Sequence, residues 1–132
     1  MTAKEFLKQY AALNSEINRN LEKLAALRAL STSIPAPSGG GGSNSPSDRT
    51  GRIMDKIIDF ESKINAKIDS LVDLKADIEA AIDTVEDSKQ REILQKRYIS
   101  CKNWEVIAEE MHLDLRWVYR LHGKALQQIK IN

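Results

Sequence analysis

At 132 residues the chain is long enough for one medium domain or two small ones. Its makeup, 42% hydrophobic but only 5% aromatic with 30% charged residues, is that of amphipathic helices and argues against a sheet. The net charge of +1 is unevenly spread: residues 1–51 carry +2, 52–87 carry −5 and 88–132 carry +4, which assigns any polyanion contact to the C-terminal stretch.

The chain opens Met1-Thr2-Ala3-Lys4-Glu5, without the apolar core of a secretory leader, and holds no run of eighteen apolar residues. Cys101 is its single cysteine, which leaves no internal disulfide to form. These features predict a cytoplasmic protein that makes no membrane contact.

From Thr2 to about Leu30 the pattern is helical. Thr2 and Glu5 have capping-box spacing. Phe6, Tyr10, Leu13, Ile17, Leu21, Leu24, Leu27 and Leu30 then follow at steps of three and four, drawing one apolar stripe. Residues 31–51 break every periodicity with Pro35, Pro37, four glycines over Gly39–Gly42, Pro46 and Gly51, so a flexible loop is expected there. A heptad runs from Arg52 to about Val85 through Ile57, Ile64, Ile68, Leu71, Ile78, Ile82 and Val85. The two long helices are similar in length and joined by a loop that lets the second return. The expectation is therefore an antiparallel helical hairpin of coiled-coil type over residues 1–87. A seam of that length also suits pairing between two chains, as a homodimer.

After Glu86-Asp87-Ser88, which offers caps, a helix is expected over Lys89–Ile99 with Ile93, Leu94 and Tyr98 on one face. Asn103 is placed to cap a helix over Trp104–Met111, and Asp114 a last one from Leu115 to about Ile129. Trp104, Ile107, Ala108 and Met111 sit at i, i+3, i+4 and i+7, with the small Ala108 where two helices cross and Leu113 filling the turn. Val118, Leu121, Ala125 and Ile129 form the buried side of the second helix. This is the pattern of a helix-turn-helix within a DNA-binding domain over 88–132. His112 stands where the turn favours glycine, because that residue takes a positive φ; histidine tolerates the region better than most side chains.

On the opposite side of the last helix lie Arg116, Tyr119, Arg120, Gly123 and Gln127, with Lys124 at the margin. Arginine grips phosphate and makes bidentate contacts to guanine. Gly123, unfavourable inside a helix, fits a close approach by a phosphate or backbone. His112, His122 and Cys101 lack the spacing of a zinc site, and no nucleophile–base pair or phosphate cradle is recognisable. No cofactor, metal or enzymatic activity is expected.

The stretches Arg91–Tyr98, Trp104–Met111 and Val118–Leu126 resemble region 4 of bacterial sigma factors across about residues 88–130. The layout of the whole chain, a helical hairpin with a variable loop before this module, is similar to small phage and prophage proteins of Gram-positive bacteria. Those proteins form a domain-of-unknown-function family akin to phage late-gene transcription activators. The resemblance implies an all-α fold and a transcriptional regulator that binds promoter double-stranded DNA and contacts RNA polymerase. It carries over to Leu115, Arg116, Trp117, Tyr119, Arg120, Gly123 and Lys124. Leu115 and Trp117 depart from the family, which usually has arginine or another polar residue there, and suit thymine methyl groups or a protein partner instead. Two other roles fit the same layout: a small-terminase-like subunit of phage DNA packaging, or an interaction adaptor whose helix-turn-helix is vestigial.

Overall fold

The computed structural model describes residues 1–32 and 46–131. Among these the chain is all-helical, without a strand. Its α-helices are α1 (Ala3–Thr32), α2 (Pro46–Asp83), α3 (Ser88–Leu94), α4 (Trp104–Met111) and α5 (Leu115–Gln128). No helix among the described residues is long and apolar enough to cross a membrane. Of the loop expected over 31–51, residues 33–45 lie outside the described residues. Its edges are helical instead: α1 runs on to Thr32 and α2 starts at Pro46. Proline is compatible with a helix start because the first-turn N–H groups have no intrahelical acceptor.

Helix boundaries follow local chemistry. The Thr2 hydroxyl accepts from the Glu5 N–H (3.2 Å) and the Glu5 carboxylate from the Thr2 N–H (2.9 Å), a closed capping box. Asp87 accepts from the Gln90 N–H and Asn103 from the Val106 N–H, each at 2.9 Å, which starts α3 and α4. Asp114 differs from expectation. It occupies the N-cap position of α5 in extended conformation, but its side chain makes no capping hydrogen bond. Replacing Asn103 with alanine is expected to lower the unfolding free energy by about 1 kcal/mol. A urea titration followed by far-UV circular dichroism checks this, and an unchanged midpoint would show that the α4 start is held by packing alone.

Contacts divide the chain into two compact units, Met1–Asn14 with Ser70–Asn132, and Ser15–Asp69. In the second unit, Ile17 and Leu24 of α1 and Ile53, Ile57 and Ile64 of α2 are buried. Glu16 pairs with Lys67, and Arg28 with Glu61 at 2.5 Å, so partner numbers fall on α2 as they rise on α1. These exposed pairs are worth no more than about 1 kcal/mol each, and the aliphatic seam contributes more. Leu21, Leu30 and Ile68, expected in the stripe, are exposed, whereas Ile53 ahead of it is buried. Ile57, Ile64, Ile78 and Val85, spaced at multiples of seven, all stay buried, whereas Ile68 lies four residues after Ile64 and the half-buried Lys67, three after it, takes the position nearer the seam.

The first unit has two apolar clusters. One joins Leu7 of α1, Ile78 and Ile82 of α2, Val85, Leu94, Tyr98, and Ala125 and Ile129 at the end of α5. The other joins Ile93, Ile107, Ala108, Val118 and Leu121, with Trp104, Met111, Leu113 and Leu115 packed around it. Ile93 and Leu94 thus serve different clusters, contrary to the single face expected. Successive helical residues point about 100° apart, while Leu94 and Tyr98, one turn apart, stay together. Leu7 is fully buried where the stripe favoured its neighbour Phe6, which packs at the edge of the first cluster. Gln90 is buried too, and its side-chain oxygen accepts from Gln128 Nε2 at 3.0 Å, fastening α3 to the end of α5.

Candidate nucleic-acid interface

The α4–turn–α5 segment is shaped by a short irregular path that precedes it. Gln95–Ile99 is a π-helical turn, in which the Ser100 N–H reaches back to the Gln95 carbonyl (3.0 Å). Cys101 then takes a positive φ of 55°, which no feature of the sequence signals. This path swings Arg97 over Trp104, with the guanidinium carbon 4.4 Å from the ring centroid. Arg97 Nη1 also donates to the Lys102 carbonyl at 3.1 Å.

Between α4 and α5, His112 has φ 54° and ψ 43°, the left-handed conformation expected from its place in the turn. Its N–H returns to the Glu109 carbonyl and that of Leu113 to the Ala108 carbonyl, which closes the end of α4. Leu113 packs on the Ile107/Val118 cluster and fills the turn. α5 lies against both α3 and α4.

With Val118, Leu121 and Ala125 inward, α5 turns its other side to solvent. Arg116, Trp117, Tyr119, Arg120, Gly123 and Lys124 are all exposed, Trp117 by 41% and Tyr119 by 47%. Leu115, the remaining candidate, is half-buried against the cluster at the first turn. Lys124 Nζ sits 5.9 Å from the Trp117 ring centroid, and the Tyr119 ring meets Trp104 edge-on with centroids 5.3 Å apart. A Cβ added at Gly123 would meet nothing within 4 Å, so the chain itself gives no packing reason for glycine there.

The cations of this region fall into two groups. Lys96 and Lys102 are both held by Glu110, at 3.3 Å and 2.6 Å, and those hydrogen bonds, Lys102 first, keep the Glu110 carboxyl below its ordinary range. Arg91 is spent on the Val85 and Glu86 carbonyls. Arg116, Arg120 and Lys124 on α5 stand in no ion pair among the described residues, and their positive charge faces outward.

Beneath them is a feature that sequence reasoning missed. His122 is buried, its Nε2 hydrogen-bonded to the Tyr98 hydroxyl at 2.7 Å, with Trp104 edge-on to its ring. Burial, and next the positive Lys4 and Arg97, lower the imidazole pKa to about 4, so the ring is neutral at physiological pH. Burial raises the Tyr98 phenol, partly offset by Arg97. Tyr98 and His122 sit on different helices, and no short-range spacing marks such a pair.

Comparison with protein-family models, with curated proteins and with solved structures finds no match to this chain.

Proposed function

We propose that the chain is a phage-type transcriptional regulator whose α4–turn–α5 segment is a sigma region 4-like helix-turn-helix that binds promoter DNA. In this reading α1 and α2 form an antiparallel hairpin that carries it. The observation that supports this best is the outward row of unpaired cations, Arg116, Arg120 and Lys124, on a helix whose other side is locked into α3 and α4. α5, at 14 residues, is about 21 Å long, which suits the major groove of B-DNA. His112 sets the angle at which α5 leaves α4. Ala108, buried at the crossing, keeps the helices close.

The roles divide by chemistry. Arg116 and Arg120, one turn apart, reach guanine edges or phosphates, and Lys124 adds a point charge for the backbone. Tyr119, steadied by Trp104, offers a phosphate-directed hydroxyl. Gly123 leaves room for the sugar–phosphate chain. Trp117 contributes apolar contact, either with thymine methyl groups or with RNA polymerase, the partner implied by the resemblance to region 4.

The Arg116→Ala/Arg120→Ala double variant tests the reading in a fluorescence-anisotropy titration of duplex DNA across a salt series. Affinity should fall at least about tenfold, and the slope of log K against log salt should shrink by about 2, the loss of two phosphate-neutralising charges. Unchanged affinity and slope would exclude α5 as the binding element.

A further inference from the structure

We propose that the chain associates with a second copy of itself through a lysine-rimmed groove between α1 and α2, which takes the Val72–Ala80 stretch of α2 from the other copy. The groove belongs to the Ser15–Asp69 unit. Its floor is apolar, built by Ala26, Leu27, Leu30 and Phe60, and its volume is about 540 Å³, room for a row of side chains. Lys23, Lys56 and Lys63 surround the floor, with Asp59 as the one lining carboxylate. None of these lysines joins an ion pair among the described residues, although the same unit pairs Arg28 with Glu61 and Lys67 with Glu16. Lys63 lies over the Phe60 ring, 5.9 Å from its centroid. Three positive charges around an apolar floor call for an occupant that is apolar in the middle and acidic at the side.

The chain carries such a segment in its other unit. Val72 is 62% exposed, and Ala76 and Ala80 follow at four-residue steps, also exposed. Asp73 and Asp77 run beside them at the same interval, so an apolar row and an acidic row share one side of the helix. The nearest cation on that stretch, Lys75, is engaged by Glu79 and leaves the aspartates uncompensated. The small Ala76 and Ala80 that follow Val72 in its row let a third helix lie close along a two-helix groove, with valine as the knob. Opposite charge at the rim fixes the register and speeds encounter. This contact is independent of the DNA-binding reading, since none of its residues lies on α5.

Sedimentation velocity on the purified full chain, without DNA, tests it. The wild type should show reversible self-association in the micromolar range that weakens with added salt. Lys56→Glu/Lys63→Glu should raise the dissociation constant at least tenfold, and Asp73→Lys/Asp77→Lys should do the same. An equimolar mixture of the two variants should regain association, because each supplies the charge the other lacks. Helical circular dichroism of each variant guards against misfolding. A wild type that stays monomeric at 100 µM and low salt overturns the proposal. So does a pair of well-folded variants that associate as the wild type does.

Discussion

Ile82→Ala should lower the unfolding free energy by about 2–5 kcal/mol, the range for emptying an aliphatic site in a closed core. Ile82 has no exposed surface and stands in the cluster that also holds Leu7, Leu94, Tyr98, Ala125 and Ile129. The substitution removes three carbons from a place walled by α1, α3 and α5, where surrounding helices cannot all move in to fill the space. That loss is a large part of the 5–15 kcal/mol by which an ordinary domain is stable. Urea unfolding should therefore show the whole Met1–Asn14/Ser70–Asn132 unit melting at lower denaturant, with tryptophan fluorescence and far-UV circular dichroism in step. Ile58→Ala, on an exposed site outside that cluster, should stay within about 0.5 kcal/mol and serves as the control. A loss at Ile82 no larger than the control's would mean that the end of α2 is not part of this core.

Stability should also depend on pH through His122. In the unfolded chain the imidazole takes up a proton near pH 6.5, whereas in the folded protein it does so only near 4. Above pH 6.5 the ring is neutral in both states and its contribution is complete. As the pH falls from 6.5 toward 4 the unfolded state binds the proton first, so the folded state loses stability across that window. Between pH 7 and pH 4.5 the loss is on the order of 2 kcal/mol. His122→Gln isolates this contribution, since glutamine can still hydrogen-bond the Tyr98 hydroxyl but does not titrate. The wild-type and variant stabilities, measured by urea unfolding at pH 7 and at pH 4.5, should converge or cross by that amount. Parallel pH profiles would show that His122 is not the responsible group.

Much of this architecture is legible in the residues themselves. The capping box at Thr2 and Glu5, the Asn103 cap, the buried row Ile107, Ala108, Val118 and Leu121, and the left-handed His112 all depend on neighbours within a few positions. Such features are printed in spacing. What escaped depends on distant parts of the chain. That Leu7 outranks Phe6 and that Ile93 and Leu94 part company follow from where other helices lie, which periodicity within one helix cannot report. The exposed row on α5 was readable from helical geometry, apart from Leu115, whose first-turn position leans it toward α3 and α4. The Tyr98–His122 pair and the stacking of Arg97 on Trp104 needed the π-turn and the positive φ of Cys101, and neither has a residue signature here.

The cluster around Ile82 has a further consequence for synthesis. It takes Leu7 from α1 and Ile129 from beyond α5, so its members are made far apart in the order of synthesis. Leu7, Ile78, Ile82, Val85, Leu94 and Tyr98 are available to one another first, but the cluster is not complete until Ala125 and Ile129 have emerged from the ribosome. A cluster lacking Ala125 and Ile129 leaves part of its aliphatic surface open to solvent, the kind of surface that chaperones bind. Stalling translation between α4 and α5 should therefore yield nascent chains that hold chaperone, released once α5 is complete.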